Sequence, residues 1–286
     1  MAIIYALCCL AFAAFNDFVF KLFANNSEAS TEHKSCGTFV AIVGLIEVLG
    51  LSWLINDVSD WNATIIWGFT SGFLSVISNM LLIESMRYQS AGISSTIFRL
   101  NMVLVVIGGY LLFNEPLTCL LIIGIACAAL SIIAFIPPSN NNVQIAHKTA
   151  MGFTLALVAC ILRAIMSLSY KGAFTHGADV NGVTVITGVS WIIGGLAFAL
   201  IRDRHLSFPN KNEWTIGIVS GALVCGIVFF MARMNAYGNA SIVNPIAQMS
   251  FLGTFILSAL FLHEQVTLKK LFAILLGCAA IICLTV

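Results

Sequence analysis

Tyr88-Gln89-Ser90-Ala91-Gly92-Ile93 opens a stretch that closes with Glu115 and Thr118, and Tyr237-Gly238-Asn239-Ala240-Ser241-Ile242 opens a second that closes with Glu264 and Thr267. Each matching residue of the second copy (Tyr237, Ala240, Ile242, Glu264, Thr267) stands 149 positions after its counterpart. In both copies a polar turn leads into an apolar run long enough to cross a bilayer. A glutamate and then a threonine end it, and another apolar run follows. The offset is about half of the 286 residues, so the chain reads as one unit duplicated.

Composition names the solvent. Hydrophobic residues make up 60% of the chain and charged residues 9%, and the mean hydropathy is +1.01. A soluble domain carries about 25% charged residues. Most of this apolar surface therefore faces lipid. A formal net charge of +1 with no basic tract excludes a nucleic-acid partner. The nine cysteines lie mostly inside apolar runs, with no CxxC or CxxH spacing, and the five histidines are scattered in or beside loops. No metal or other cofactor is expected. The first apolar run has no positive n-region and reads as a retained span rather than a signal peptide.

Ten apolar runs follow one another, at 2–24, 36–56, 64–86, 91–113, 118–137, 150–174, 180–201, 214–236, 240–262 and 267–286. At ~1.5 Å per residue, about 20 residues cross ~30 Å of hydrocarbon as a helix. The expected fold is an all-α membrane protein of ten transmembrane helices in two inverted-topology five-helix repeats. The first repeat takes residues 1–138, a linker 139–149 and the second repeat 150–286. An odd number of spans per unit forces the second unit to enter the membrane upside down. Gly68-x-x-Ser71-Gly72 recurs as Gly217-x-x-Ser220-Gly221, a spacing that suits close helix packing. Lysines and arginines gather in the connections after odd-numbered spans, which predicts those connections in the cytoplasm and both termini outside.

Ten spans in two halves, a glutamate–threonine turn after spans four and nine, and Asn244-Pro245-Ile246-Ala247-Gln248-Met249-Ser250-Phe251 in span nine resemble the drug/metabolite transporter superfamily, EamA type. The resemblance covers essentially the whole chain. It implies a central cavity lined by spans one, three, four, six, eight and nine, and alternating access without nucleotide. One departure stands out: Thr96 occupies the place of Pro245, so a kink is expected in span nine and an absent or weaker one in span four. Independently, no GxxxxGK[ST] loop exists, so ATP is not a partner. The expected partners are a small-molecule substrate, the lipid bilayer and a coupling proton. The expected location is a bacterial inner membrane.

Ionisable side chains inside apolar spans carry the functional signal, because each costs at least ~2.5 kcal/mol at mid-membrane. Asp17 and Asn16 lie in span one; Asp17 can pair with Lys21 four residues on, or face the cavity and bind a cation or proton. Arg99 lies near the middle of span four with no acidic residue within a turn, so its partner comes from another helix or the substrate. Gln248 is its match in span nine, and Asn101 and Asn244 are secondary candidates. Arg163 in span six starts a stripe with Ser167 and Tyr170, and either clamps an anion or pairs with Asp17. Asn79 belongs to a polar stripe with Ser71, Ser75 and Ser78 that should avoid lipid. Candidate substrate contacts are therefore Asn16, Asp17, Asn79, Arg99, Asn101, Arg163, Asn244 and Gln248. Candidate proton or gate groups are Asp17, Glu47, Glu84 and Arg233. Structural readings compete: Glu47 in an ion pair within a peripheral span, Glu84 paired with Arg87, Arg233 reaching headgroups. Glu115 and Glu264 read as stabilisers of the following helix starts, with Thr118 and Thr267 as caps.

Both signs of charge in one cavity point to a secondary transporter of a small polar or zwitterionic metabolite, in the amino-acid or organic-anion class. An integral-membrane enzyme acting on lipid-linked substrates is the alternative, but it would need clustered acids or histidines, which the spans lack. A non-transporting sensor or assembly subunit is the third reading.

Overall fold

The computed structural model describes residues 1–28, 36–55, 58, 60–113, 118–135, 143–203, 211–237, 246–264 and 266–283. Among the described residues, eleven helices carry the ten spans. They are α1 (Ala2–Glu28), α2 (Cys36–Leu51), α3 (Trp61–Tyr88), α4 (Ala91–Arg99), α5 (Asn101–Phe113), α6 (Cys119–Phe135), α7 (Val143–Thr175), α8 (Val180–Phe198), α9 (Lys211–Tyr237), α10 (Ser250–Phe261) and α11 (Leu268–Cys283). Helices α4 and α5 together form span four, and Ile246–Phe261 forms the described part of span nine. Seven of the helical segments are long and apolar enough to cross a membrane by length and composition. Residues 143–149 are helical and form the opening turns of α7; Gln144, Ala146 and Lys148 there are good helix formers.

Helix starts are fixed locally. Asp60 caps α3 by accepting a hydrogen bond from the Ala63 amide at 3.1 Å, and Asp179 caps α8 by accepting from the Gly182 amide at 2.6 Å. The Asp179 amide donates to Thr64 Oγ1 at 3.0 Å, which ties the two helix starts to the same membrane face.

Two contacts demonstrate the inversion. A Cβ on Gly37 would collide with the Gly195 carbonyl and the Ala199 amide, and one on Gly44 would meet the Gly188 carbonyl at 2.7 Å. The start of α2 thus lies against the end of α8, and its middle against the middle of α8. Spans two and seven, the second of each repeat, run antiparallel with backbones in contact, as only glycine permits. The remaining pairings repeat across the same pseudo-twofold. α1 packs along α9 as α7 packs along α3; α6 meets α11, and α4 meets α10.

A core of Phe20, Phe23, Phe39, Leu82, Met86, Phe98 and Trp191 joins α1, α2, α3, α4 and α8. The outward faces of α6 and α11 expose Ile122, Ile123, Ile133, Leu268, Phe272 and Leu275. Such a surface needs lipid as its solvent.

Span four departs from expectation. It breaks at Leu100 (φ −69°, ψ 1°), although it has no proline. Span nine breaks at Met249 (φ −70°, ψ 7°), 149 residues on. In both halves the residue at the break starts a tighter turn: Val103 N donates to Leu100 O at 3.1 Å, and Leu252 N to Met249 O at 3.0 Å. In span four the side chain of Asn101 donates to the Phe98 carbonyl at 2.7 Å, supplying locally what the helix ladder loses.

Candidate functional site

The charged side chains of the spans converge between the two halves. Asp17 of α1 is 3% exposed. Its Oδ2 accepts from Ser95 Oγ at 3.0 Å and forms an ion pair with Arg99 Nη2 at 3.4 Å. The Thr254 hydroxyl of α10 lies 3.4 Å from the same oxygen. The partner of Arg99 is thus a carboxylate 82 residues away on another helix. Lys21, four residues beyond Asp17, donates to the Met86 and Gln89 carbonyls where α3 ends, the latter at 3.0 Å.

Arg163 of α7 also lies beside Phe98. Both guanidinium carbons, of Arg99 and Arg163, are 5.7 Å from the Phe98 ring centroid, within cation–π range. Nη1 of Arg163 contacts Met166 Sδ at 3.3 Å. Among the described residues no carboxylate oxygen is within ion-pair distance of Arg163, although it is within electrostatic reach of Arg99, Tyr170, Asp17 and Glu47. The Arg163–Asp17 pairing that the sequence allows is therefore replaced by Asp17–Arg99. Tyr170, one face along α7, shares a hydrogen bond with Thr187 of α8 at 3.0 Å.

Glu47 corrects a second expectation. No hydrogen bond reaches its Oε2 among the described residues, and it is 3% exposed, so it is not held in a structural ion pair in a peripheral span. α2 is sandwiched between α8 and α9, which turns this carboxylate inward.

The other candidates are placed as follows. Asn16 accepts from Ser220 Oγ of α9 at 2.7 Å. Asn79 donates to the Ser75 carbonyl of its own helix at 2.9 Å, and Trp191 Nε1 donates to Ser75 Oγ at 3.2 Å, so the polar stripe of α3 is sealed inside protein. Asn101 is spent on the helix break. Gln248 stands half-buried beside the break in span nine, and its Oε1 has no partner among the described residues. Ser250 Oγ and Arg99 Nε are likewise buried without partners among those residues. Asn244 and Glu115 lie outside the described residues. Glu84 pairs with Arg87 at 3.0 Å, and Arg233 lies 4.4 Å from the Phe229 ring. Glu84 is thus paired as its structural reading has it, and Arg233 lies against an aromatic ring of its own helix. Glu264 does stabilise a helix start, but the start is that of α4 in the other repeat: its Oε1 accepts from the Ala91 amide at 3.1 Å. The Thr267 hydroxyl accepts from the Lys270 amide at 3.3 Å and caps α11.

Ser95, Phe98 and Thr254 join the site without being candidates from the sequence. The first has a signal there, since Ser95 and Arg99 are four apart on one helix face. Phe98 and Thr254 have none, because their roles depend on neighbouring helices.

The arrangement offers a largely buried set of two guanidiniums, two carboxylates and several orphaned polar atoms, gathered from both repeats. An unsatisfied buried polar group costs about 1–3 kcal/mol. Such a set suits a solute that brings its own charges and hydrogen bonds.

A solved crystal structure that is 15% identical superposes with a TM-score of 0.62, over 96% of this chain and 95% of that one. At that identity the likeness concerns the fold. No curated protein matches the chain. The model of the EamA-like transporter family matches residues 1–136 and again residues 150–286. With nearly every residue covered by two copies of that model, and ten apolar helical spans arranged as inverted repeats, this multi-pass integral membrane protein belongs to the EamA-like transporter family, of the drug/metabolite transporter type.

Proposed function

We propose that the protein is a secondary transporter that moves a small carboxylate-bearing metabolite, an amino acid or an organic anion, by alternating access. The observation that carries this reading is Arg163. It is a guanidinium inside the membrane with a thioether and an aromatic ring as its described partners and no carboxylate at ion-pair distance. A cation in that position is costly until an anion reaches it. Arg99 differs, because Asp17 already neutralises it. The solute's carboxylate docks on Arg163. Gln248 Oε1 and Ser250 Oγ, orphaned at the break of span nine, take its donors, and an amino group is the natural one. The paired breaks at Leu100 and Met249 are the hinges about which the repeats rock.

The test is a thermal-shift screen on the purified full-length protein with amino acids, organic acids, amines and nucleosides. Carboxylate-bearing compounds should raise the melting temperature. Arg163→Gln should abolish that shift without altering the melting temperature of the free protein by a comparable amount. Stabilisation by neutral apolar compounds alone would end this reading. Uptake into proteoliposomes then separates transport from a sensing role.

A further inference from the structure

One carboxylate in the membrane interior takes no part in the pairing just described. Glu47 is the sole charged residue of α2 from Cys36 to Leu51. It is 3% exposed, and its Oε2 has no donor among the described residues. The titratable groups within electrostatic reach of it belong to other helices: Arg163 and Tyr170 of α7, and Cys225 of α9. α8, which packs most closely on α2, brings Gly188 against the Glu47 stem, and Val180–Phe198 contains no titratable side chain. α3 carries Glu84, Arg87 and Tyr88 only in its last turns. Asp17 and Arg99 neutralise each other.

An ionised carboxylate without donors in such a place is costly, and only a cation or a proton relieves it. The one cation within electrostatic reach of Glu47 among the described residues is Arg163. Asp17, Arg99, Arg163 and Glu47, all ionised, sum to zero formal charge. A solute of net charge −1 arriving on Arg163 leaves the set one negative charge in excess. One proton, forming an O–H bond on a Glu47 oxygen and abolishing its charge, restores neutrality.

On the transporter reading above, we propose that Glu47 is the proton-binding site of this protein, and that the charge on Arg163 controls it, so that one proton travels with each net negative charge the solute brings. Solute binding on Arg163 favours the proton on Glu47, and the proton favours the solute, because each offsets the charge the other brings.

The test needs no substrate. The full-length protein in lipid nanodiscs is titrated while infrared difference spectra record the carbonyl stretch of protonated carboxyl groups. A band should appear on acidification, vanish in Glu47→Gln, and persist in Asp17→Asn and Glu84→Gln. Glu47→Asp should keep the band at a displaced frequency, which decides the matter even if Glu47→Gln does not fold. In Arg163→Gln the band should appear at higher pH, by at least about one unit, because the facing positive charge no longer opposes protonation. Arg163→Lys, which keeps the charge, should not move it by that much. A band that survives Glu47→Gln, no titrating band between about pH 4 and 10, or an unmoved midpoint in Arg163→Gln would each overturn the proposal. Failure of the thermal-shift screen with a positive infrared result would instead sink the carboxylate-transport reading and leave the proton site standing.

Discussion

The Asp17–Arg99 pair decides what single substitutions cost. Asp17 is held by a hydroxyl of α4, a guanidinium of α4 and a hydroxyl contact from α10. Removing one member of a buried pair strands the other charge, at a cost of about 3–5 kcal/mol, whereas removing both costs less than the sum. Asp17→Ala and Arg99→Ala should therefore each destabilise strongly, and the double variant should be no less stable than the worse single one. Equilibrium unfolding in detergent measures all four corners of the cycle. Strictly additive losses would mean that the two side chains do not share an ion pair. The pair itself is half legible in the sequence. Arg99 has no acid within a turn, so its partner has to come from elsewhere. Nothing in a linear pattern can choose Asp17 over Glu47 or a substrate, because that choice depends on how α1 and α4 rotate against each other. Glu47 is hard to place for the same reason. α2 is apolar nearly all round, so its one charge does not reveal which way it points.

At the scale of elements, length and hydropathy locate the helices well, since a bilayer imposes a minimum run that few other structures need. The break in span four is invisible to a reading that waits for proline. Leu100 shows that an asparagine side chain capturing a carbonyl, with a tightened turn after it, does the same work without one. The turn glutamate is legible as a helix-start stabiliser, but the helix it serves is not the next one along the chain. Glu264 serves Ala91, 173 positions away, because the inverted fold brings the turn after span nine beside the start of span four. Glu264→Ala should cost about 1 kcal/mol, and should raise amide exchange in the first turn of α4 more than in α11. Thr267→Ala should do the reverse, since its hydroxyl caps α11. Glu264→Gln, which keeps an accepting oxygen, should lose little. Equal exchange in α4 for Glu264→Ala and the unaltered protein would remove the cross-repeat cap.

The whole molecule places its restraints unevenly across the membrane. The turn from α3 to α4 is gripped by three separate elements: Lys21 of α1 donates to the Gln89 carbonyl at 3.0 Å, Gln89 Nε2 donates to the Gly152 carbonyl of α7 at 3.3 Å, and Glu264 accepts from Ala91. The last two bonds join the two repeats at one face, so a rocking motion that opens this face must break them, while opening the other face leaves them intact. A staple here should therefore arrest transport. A Cβ on Gly152 would lie 3.3 Å from Gln89 Cγ, the place a cysteine sulfur would take, and a disulfide needs about 3 Å between one sulfur and the partner's Cβ. Gln89→Cys with Gly152→Cys, in a background where the exposed Cys119 is serine, should cross-link on oxidation. Uptake of the solute found by thermal shift should then fall at least about tenfold and return on reduction, because the barrier to opening now includes a covalent bond. Binding measured by thermal shift should survive in the oxidised protein, since the opposite face still opens onto Arg163. Full uptake by a completely cross-linked protein would mean that the repeats do not separate at this turn, and alternating access would have to run through a different pair of helices.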